Sequence, residues 1–277
     1  MGECQFGRCG MTEATIRKVD RIETGARFTD SDAIRLNNMF RGTETLDMLR
    51  SVLRDSLAGD VAVVSSFGAE SAALLHLVAT IDPATPVIFL ETHKHFAETL
   101  TYRDDLVERL GLTNLMIVEP DAEVLTKKDD NNLRWSWDPD GCCEIRKVIP
   151  LAKALARFDA SITGRKGFQS ATRTGLPRFE IDHADTQGRL KINPLANWSK
   201  DDIEAYMVLH DLPRHPLVAE GYPSIGCAPC TTKVVPGEDP RSGRWKGWDK
   251  VECGIHAPVN GADDGPSKLP PEYDPVF

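Results

Sequence analysis

The chain has 277 residues, 41% of them hydrophobic and 27% charged, enough for one large α/β domain or two small ones with an ordinary globular composition. Its formal charge of −9 argues against broad nucleic-acid binding, which needs a basic footprint, and no apolar run reaches the roughly 20 residues of a membrane helix. The N-terminus lacks the charged-then-apolar layout of a secretory signal, so a cytoplasmic location is the expectation.

In chain order, residues 1–42 are polar and weakly patterned and read as an arm with a short helix. Leu46, Leu49, Leu53 and Leu57 recur at helical spacing within 43–57. Strands follow at 61–66, 86–91, 115–120 and 160–164, with helices at 71–80, 96–111 and 143–158. Gly111 stops the second of these helices, and Pro150 predicts a break or kink in the third. Residues 178–181 and 190–192 read as a small hairpin, and Ser199 with Asp202 forms a capping box for a helix through Leu209. Alternating strands and helices imply a doubly wound, mostly parallel sheet covered on both faces. The organisation expected is an arm (1–42), an α/β domain (43–235) and a Gly/Pro-rich tail (236–277).

Two features carry chemistry. The segment Ser65-Ser66-Phe67-Gly68-Ala69-Glu70-Ser71 joins a strand to a helix, where exposed N–H groups and the positive helix end could hold an anion. It lacks the Gly-Lys-Ser/Thr of a Walker loop, and plain topology is the competing reading. Basic residues gather at Arg165, Lys166, Arg173 and Arg178 and again at Lys233, Arg241, Arg244, Lys246 and Lys250. In an acidic protein such groups suit a small anionic ligand; scattered solvated charge is the alternative.

The second feature is sulfur. Seven cysteines, an odd number, point to metal or catalytic use rather than to a disulfide framework. Cys142 and Cys143 are adjacent, and Cα atoms about 3.8 Å apart fall short of the roughly 4.4–6.8 Å that a disulfide spans. With Cys227 and Cys230 they offer four thiolates, a donor set for Zn²⁺ or for a [4Fe–4S] cluster. Neighbouring side chains diverge by about 100° on a helix, which favours the wider cluster. A redox dithiol at 227 and 230, and unrelated buried thiols, are the remaining alternatives. Cys4 and Cys9 match no motif.

The phosphate-loop wording resembles that of the PP-loop nucleotide-binding enzymes, which bind adenine nucleotides on a Rossmann-like doubly wound sheet. Together with Cys-Cys-Glu-Ile-Arg-Lys (142–147), Gly-Cys-Ala-Pro-Cys (226–230) and Glu-Cys-Gly-Ile-His (252–256), it resembles the assimilatory sulfonucleotide reductases over about residues 60–257. The narrower likeness is to the iron–sulfur, adenylylsulfate (APS) branch, because the PAPS-reducing branch typically lacks the two cysteine pairs.

That resemblance implies reduction of adenosine 5′-phosphosulfate to sulfite and AMP, within sulfate assimilation and cysteine biosynthesis. Thioredoxin or a glutaredoxin-like protein would be the reductant, and homo-oligomers are frequent in the family. It implies a [4Fe–4S] cluster on Cys142, Cys143, Cys227 and Cys230, and Cys253 as a nucleophile that becomes an S-sulfocysteine. Lys147 and His256 join it as catalytic residues. Ser65, Ser66, Phe67, Gly68, Ser71, Arg173, Arg241 and Arg244 are implied to bind substrate.

There are departures from the family pattern. Lys166 and Gly167 stand where two arginines are usual, with Gly164, Gln169, Ser170 and Arg173 matching and Arg165 a substitute candidate. His93 stands where the family has glycine, and neither it nor His95 is read as a metal ligand. The rival functions are PAPS reduction, tRNA thiolation by a PP-loop enzyme, and a non-enzymatic redox sensor.

Overall fold

The computed structural model describes residues 26–169, 173–185, 187–250 and 252–255. Six strands form one sheet: β1 (Val61–Val64), β2 (Val87–Leu90), β3 (Leu115–Val118), β4 (Ala160–Thr163), β5 (Phe179–Ile181) and β6 (Leu190–Ile192). Their order is β3-β2-β1-β4-β6-β5, and every pairing is parallel except β5 with β6. β1 and β2 are short apolar runs with no polar alternation because both faces are covered. Val61, Val63, Val87 and Phe89 enter a larger core, whereas Ala62, Ile88 and Leu90 enter a smaller one with Leu151 and Leu155. This is the doubly wound α/β arrangement expected from the sequence.

The larger core is closed by α1 (Asp30–Met39), α2 (Thr45–Leu53), α3 (Ser71–Ile81), α4 (Ala97–Leu110) and, across β5, β6 and the capped segment that follows, α8 (Lys200–Leu209). Gly111 caps α4 in the left-handed conformation, and the Ser199–Asp202 capping box is formed at α8. Two short helices with little apolar periodicity escaped the sequence reading, α5 (Ala122–Lys128) and α9 (Pro216–Ala219).

Two features modify the sequence-based picture. First, residues on both sides of the expected 42/43 boundary share one core, since Ala33, Leu36 and Phe40 belong to the larger cluster. Asn37 also completes the free edge of β5: its Nδ2 donates to Phe179 O at 2.7 Å, and its Oδ1 accepts from Phe179 N at 3.1 Å. Second, the helix around Pro150 is widened rather than broken. α6 (Pro139–Cys143), capped by Asp138, runs into a π-helical turn (Glu144–Val148) and then α7 (Ile149–Leu155). Pro150 has no N–H and crowds the carbonyl four residues back, and the wider turn relieves both without leaving helical dihedrals.

No helix among the described residues is long and apolar enough to cross a membrane. The Asn37 contact generates a stability prediction. Asn37→Ala strands the N–H and C=O of the buried Phe179, so urea unfolding should show a loss of about 1–3 kcal/mol; an unchanged midpoint would show that the edge does not depend on this side chain.

Candidate active site

The sheet order reverses between β1 and β4, and in such sheets ligands lie beyond the carboxyl ends of the strands at that point. A cavity of about 480 Å³ opens there, within the range of small-molecule sites. Ser65, Ser66, Gly68 and Ser71 line it from the loop after β1, and Gly164, Lys166 and Arg173 from the segment after β4. Arg241, Arg244 and Cys253 close it from the C-terminal segment, with Lys147 from the π turn.

The loop is held by its own polar groups and by one ring. Phe67 N donates to Ser65 Oγ at 3.2 Å, and Ser71 Oγ donates to Gly68 O at 2.8 Å. The left-handed residue here is Phe67, with φ 49°, rather than the glycine. Its fully buried ring packs edge-on against Phe89 at 5.6 Å between centroids, which keeps the backbone in that conformation. The side chain of Phe67, a residue expected to bind substrate, is thus buried in the core and does not line the cavity. His93 is also left-handed, with φ 57°, where the family has glycine; its side chain is exposed, and its backbone N–H donates to Glu91 Oε1 at 2.7 Å.

The cations are individually constrained. Lys166 is buried with Nζ 2.8 Å from Glu70 Oε2, and Gln169 Nε2 donates to the same oxygen at 3.2 Å. Arg165 pairs with Glu180 of β5, and burial brings its pKa down to about 10. Arg173 grips Glu252 through two 2.8 Å hydrogen bonds. Arg241, Arg244 and Lys250 surround the Trp245 ring at 5.8, 4.5 and 5.6 Å from its centroid. Trp245 is buried, and its backbone N–H donates to Cys230 O at 3.1 Å, tying the arginines to the second cysteine pair.

The four cysteines predicted to act together border the same space. Cys142, Cys143, Cys227 and Cys230 line one small enclosed space of about 10 Å³ with Lys94, Arg146 and Lys147. Burial, with the nearby Cys227 adding to it, raises the Cys142 and Cys230 thiols, the latter to about 11, although nearby cations oppose this. Thr92 Oγ1 lies 3.3 Å from Cys227 Sγ. Among the described residues, no group of three or more His, Cys, Asp or Glu side chains is set as a single-ion site.

Cys253 approaches this quartet from the cavity side. A hydrogen bond between Cys143 and Cys253 pushes the Cys143 thiol up and draws Cys253 well below the usual thiol range, and Lys147 favours the Cys253 thiolate against the effect of burial. Lys147 borders both cavities. Burial alone would lower its pKa, but Cys227, Cys253 and Cys143 outweigh that and raise it. His256 and Ser170 lie outside the described residues.

Sequence reasoning passed over Glu70 and Gly226. A Cβ at Gly226 would collide with the Arg244 guanidinium, so the glycine is what lets Arg244 lie against the loop. His95 also lines the cavity, with Nε2 donating to Leu90 O at 2.9 Å.

Residues 60–233 match the family model described as the phosphoadenosine phosphosulfate reductase domain. The chain belongs to this family. Among phosphoadenosine phosphosulfate reductase-domain proteins, it is 47% identical over 240 residues to the adenosine 5′-phosphosulfate reductase of Mesorhizobium japonicum, covering 87% of this chain and 93% of the relative. It is 53% identical over 200 residues to the protein of the same name from Chelativorans sp., covering 72% and 80%. By structure it is similar to the phosphoadenylyl-sulfate (PAPS) reductase of Candida auris, with a TM-score of 0.64 and 24% identity over 76% of this chain and 100% of that one. That likeness bears on the fold, and it agrees with the reductase-domain sheet described above.

Gly226→Ala should displace Arg244 from the cavity wall while leaving the fold intact. Loss of one charge-assisted contact predicts a fall in kcat/KM for the sulfonucleotide of about 10- to 100-fold, with little change in thermal midpoint; full activity would remove Arg244 from the binding set.

Proposed function

We propose that the chain reduces adenosine 5′-phosphosulfate to sulfite and AMP. The observation that carries this reading is the meeting of Cys253 with Lys147, Arg173, Arg241 and Arg244 on one cavity beyond the β1–β4 switch point. The names of the relatives at 47% and 53% identity support the same substrate.

Cys253 acts as nucleophile. Its thiolate attacks the sulfur of the substrate's sulfate, the S–O bond to the 5′-phosphate breaks, and AMP departs with that bonding pair. The product is an S-sulfonate on Cys253. A dithiol reductant, thioredoxin or a glutaredoxin-like protein, then attacks Cys253 Sγ, and sulfite leaves with the electrons of the S–S bond. The second reductant thiol resolves the mixed disulfide, freeing Cys253 and leaving the reductant oxidised.

Chain groups serve each stage. Lys147, kept protonated by its sulfur neighbours, favours the Cys253 thiolate and offsets charge on the attacked sulfate. Arg173, Arg241 and Arg244 supply planar donors matched to phosphate and sulfate oxygens. Ser65, Ser66, Gly68 and Ser71 offer the polar edge of the loop to the nucleotide.

Cys142, Cys143, Cys227 and Cys230 would hold a [4Fe–4S] cluster. The donor set fits, with four thiols from two segments facing one space and Lys94, Arg146 and Lys147 around them. That space is small, so the sulfurs must spread to admit the cube. When bound, the group cross-links the two cysteine-bearing segments and delocalises thiolate charge beside Lys147.

Cys253→Ser should bind AMP as the parent does yet release no sulfite. The parent, incubated with substrate and no reductant, should gain one SO₃ unit on Cys253 by mass spectrometry; an unmodified Cys253 in active protein would refute the covalent route. Anaerobic purification should yield about four irons per chain with matching sulfide, and stoichiometric zinc in their place would overturn the cluster. Because the family model is described by the 3′-phosphorylated nucleotide, both nucleotides belong in the steady-state assay. Higher kcat/KM with PAPS would transfer the assignment to that substrate.

A further inference from the structure

Glu252 stands between the nucleophile's own segment and two arginines of the cavity wall. Arg173 holds it as a fork, Nε to Oε1 and Nη2 to Oε2, both at 2.8 Å. Arg241 Nη2 lies 3.4 Å from Oε2. The side chains of Arg173 and Glu252 are each only 9% exposed, so this pair is shielded from solvent screening. Arg173 also donates to Gln169 Oε1, and Gln169 leads to Glu70 on the loop after β1. The phosphate loop and the segment bearing Cys253 are thus joined through Arg173.

The two carboxylates in this chain of contacts differ in kind. Glu70 leads directly into α3 and is fixed by the fold, with Lys166 buried against it. Glu252 belongs to the C-terminal segment and precedes Cys253. A carboxylate seated in a guanidinium fork presents two oxygens as a phosphate or sulfate does. It also lines the cavity whose other cations suit an anionic ligand.

We propose that Glu252 is a built-in surrogate oxyanion. It occupies the Arg173–Arg241 position seen in the structure and is exchanged for an oxyanion of the arriving sulfonucleotide. This rests on the reading of the cavity as a sulfonucleotide site. Two anions cannot share one guanidinium fork at no cost, so the substrate binds against the carboxylate. The same ion pair seats Cys253 beside Cys143 and Lys147, and its exchange loosens that segment when substrate or AMP is bound. Glu252 is a positioning residue, since it touches no reacting atom, and the exchange makes or breaks no covalent bond.

The test is calorimetric binding of AMP and of inorganic sulfate, separately, to the full-length protein at fixed ionic strength. In Glu252→Gln and in Glu252→Ala, both ligands should bind about three- to tenfold tighter, the size expected when one competing charge of a partly buried pair is removed. Glu252→Asp keeps the charge and should stay within about twofold of the parent for AMP. A residue with a merely structural role would leave affinity equal or weaker in the Gln and Ala variants, and that result overturns the exchange. A parent that reduces adenosine 5′-phosphosulfate, with variants that bind no tighter, would sink this inference alone. A parent that neither binds AMP nor reduces either sulfonucleotide would sink the reading of the site on which it rests.

Discussion

The structure turns on keeping Lys147 protonated between two cavities. On one side are four desolvated thiols, and on the other is a cleft lined by arginines. Burying an ammonium is costly unless anions surround it. Desolvation would lower the Lys147 pKa, but negative charge on the neighbouring sulfurs raises it, and Cys253 is the sulfur drawn towards the thiolate form. The dependence is mutual, since Lys147 also favours the thiolate of Cys253. Nucleophile, cation and cysteine quartet form one electrostatic unit.

The backbone around this unit is arranged to serve it. The π turn relieves the conflict at Pro150 and carries Lys147 to the border of both cavities. The 3₁₀ turn Ala228–Cys230 is pinned from two directions, by Ala228 N to Lys94 O at 2.7 Å and by Trp245 N to Cys230 O. Trp245 then organises Arg241, Arg244 and Lys250 about its ring. Lys250 in turn pairs with Asp140 of α6, beside the cysteine doublet. A disturbance at either cysteine pair would therefore be felt by the anion-facing arginines, whose cavity Cys227 itself also lines.

Much of this was legible in the chain itself. Runs such as 61–66 and 86–91 are short, apolar and bounded by turn residues, and strands buried on both faces read that way. Adjacent cysteines fall short of the span a disulfide needs, which left Cys142 and Cys143 either facing a common third object or paired by accident. The Ser199–Asp202 box is a local contact and could be read from spacing alone. The inward turn of the Phe67 ring was not legible because a loop motif does not say which side chain enters the core. The helices at 122–128 and 216–219 were missed because so few residues leave no measurable period.

Local propensity, hydrophobic period and cysteine spacing act over a few residues, so the amino-acid sequence alone determined the α/β class, the strand–loop–helix junction and the two close-set cysteine pairs. Contacts between distant segments were decided only in three dimensions. Arg173 meets Glu252, and Gly226 makes room for Arg244. Asn37 completes the edge of β5, and Lys147 is shared between two cavities. The reason is physical: each depends on the distance and burial of groups brought together by sheet order and helix packing, and neither quantity is encoded in the neighbours along the chain.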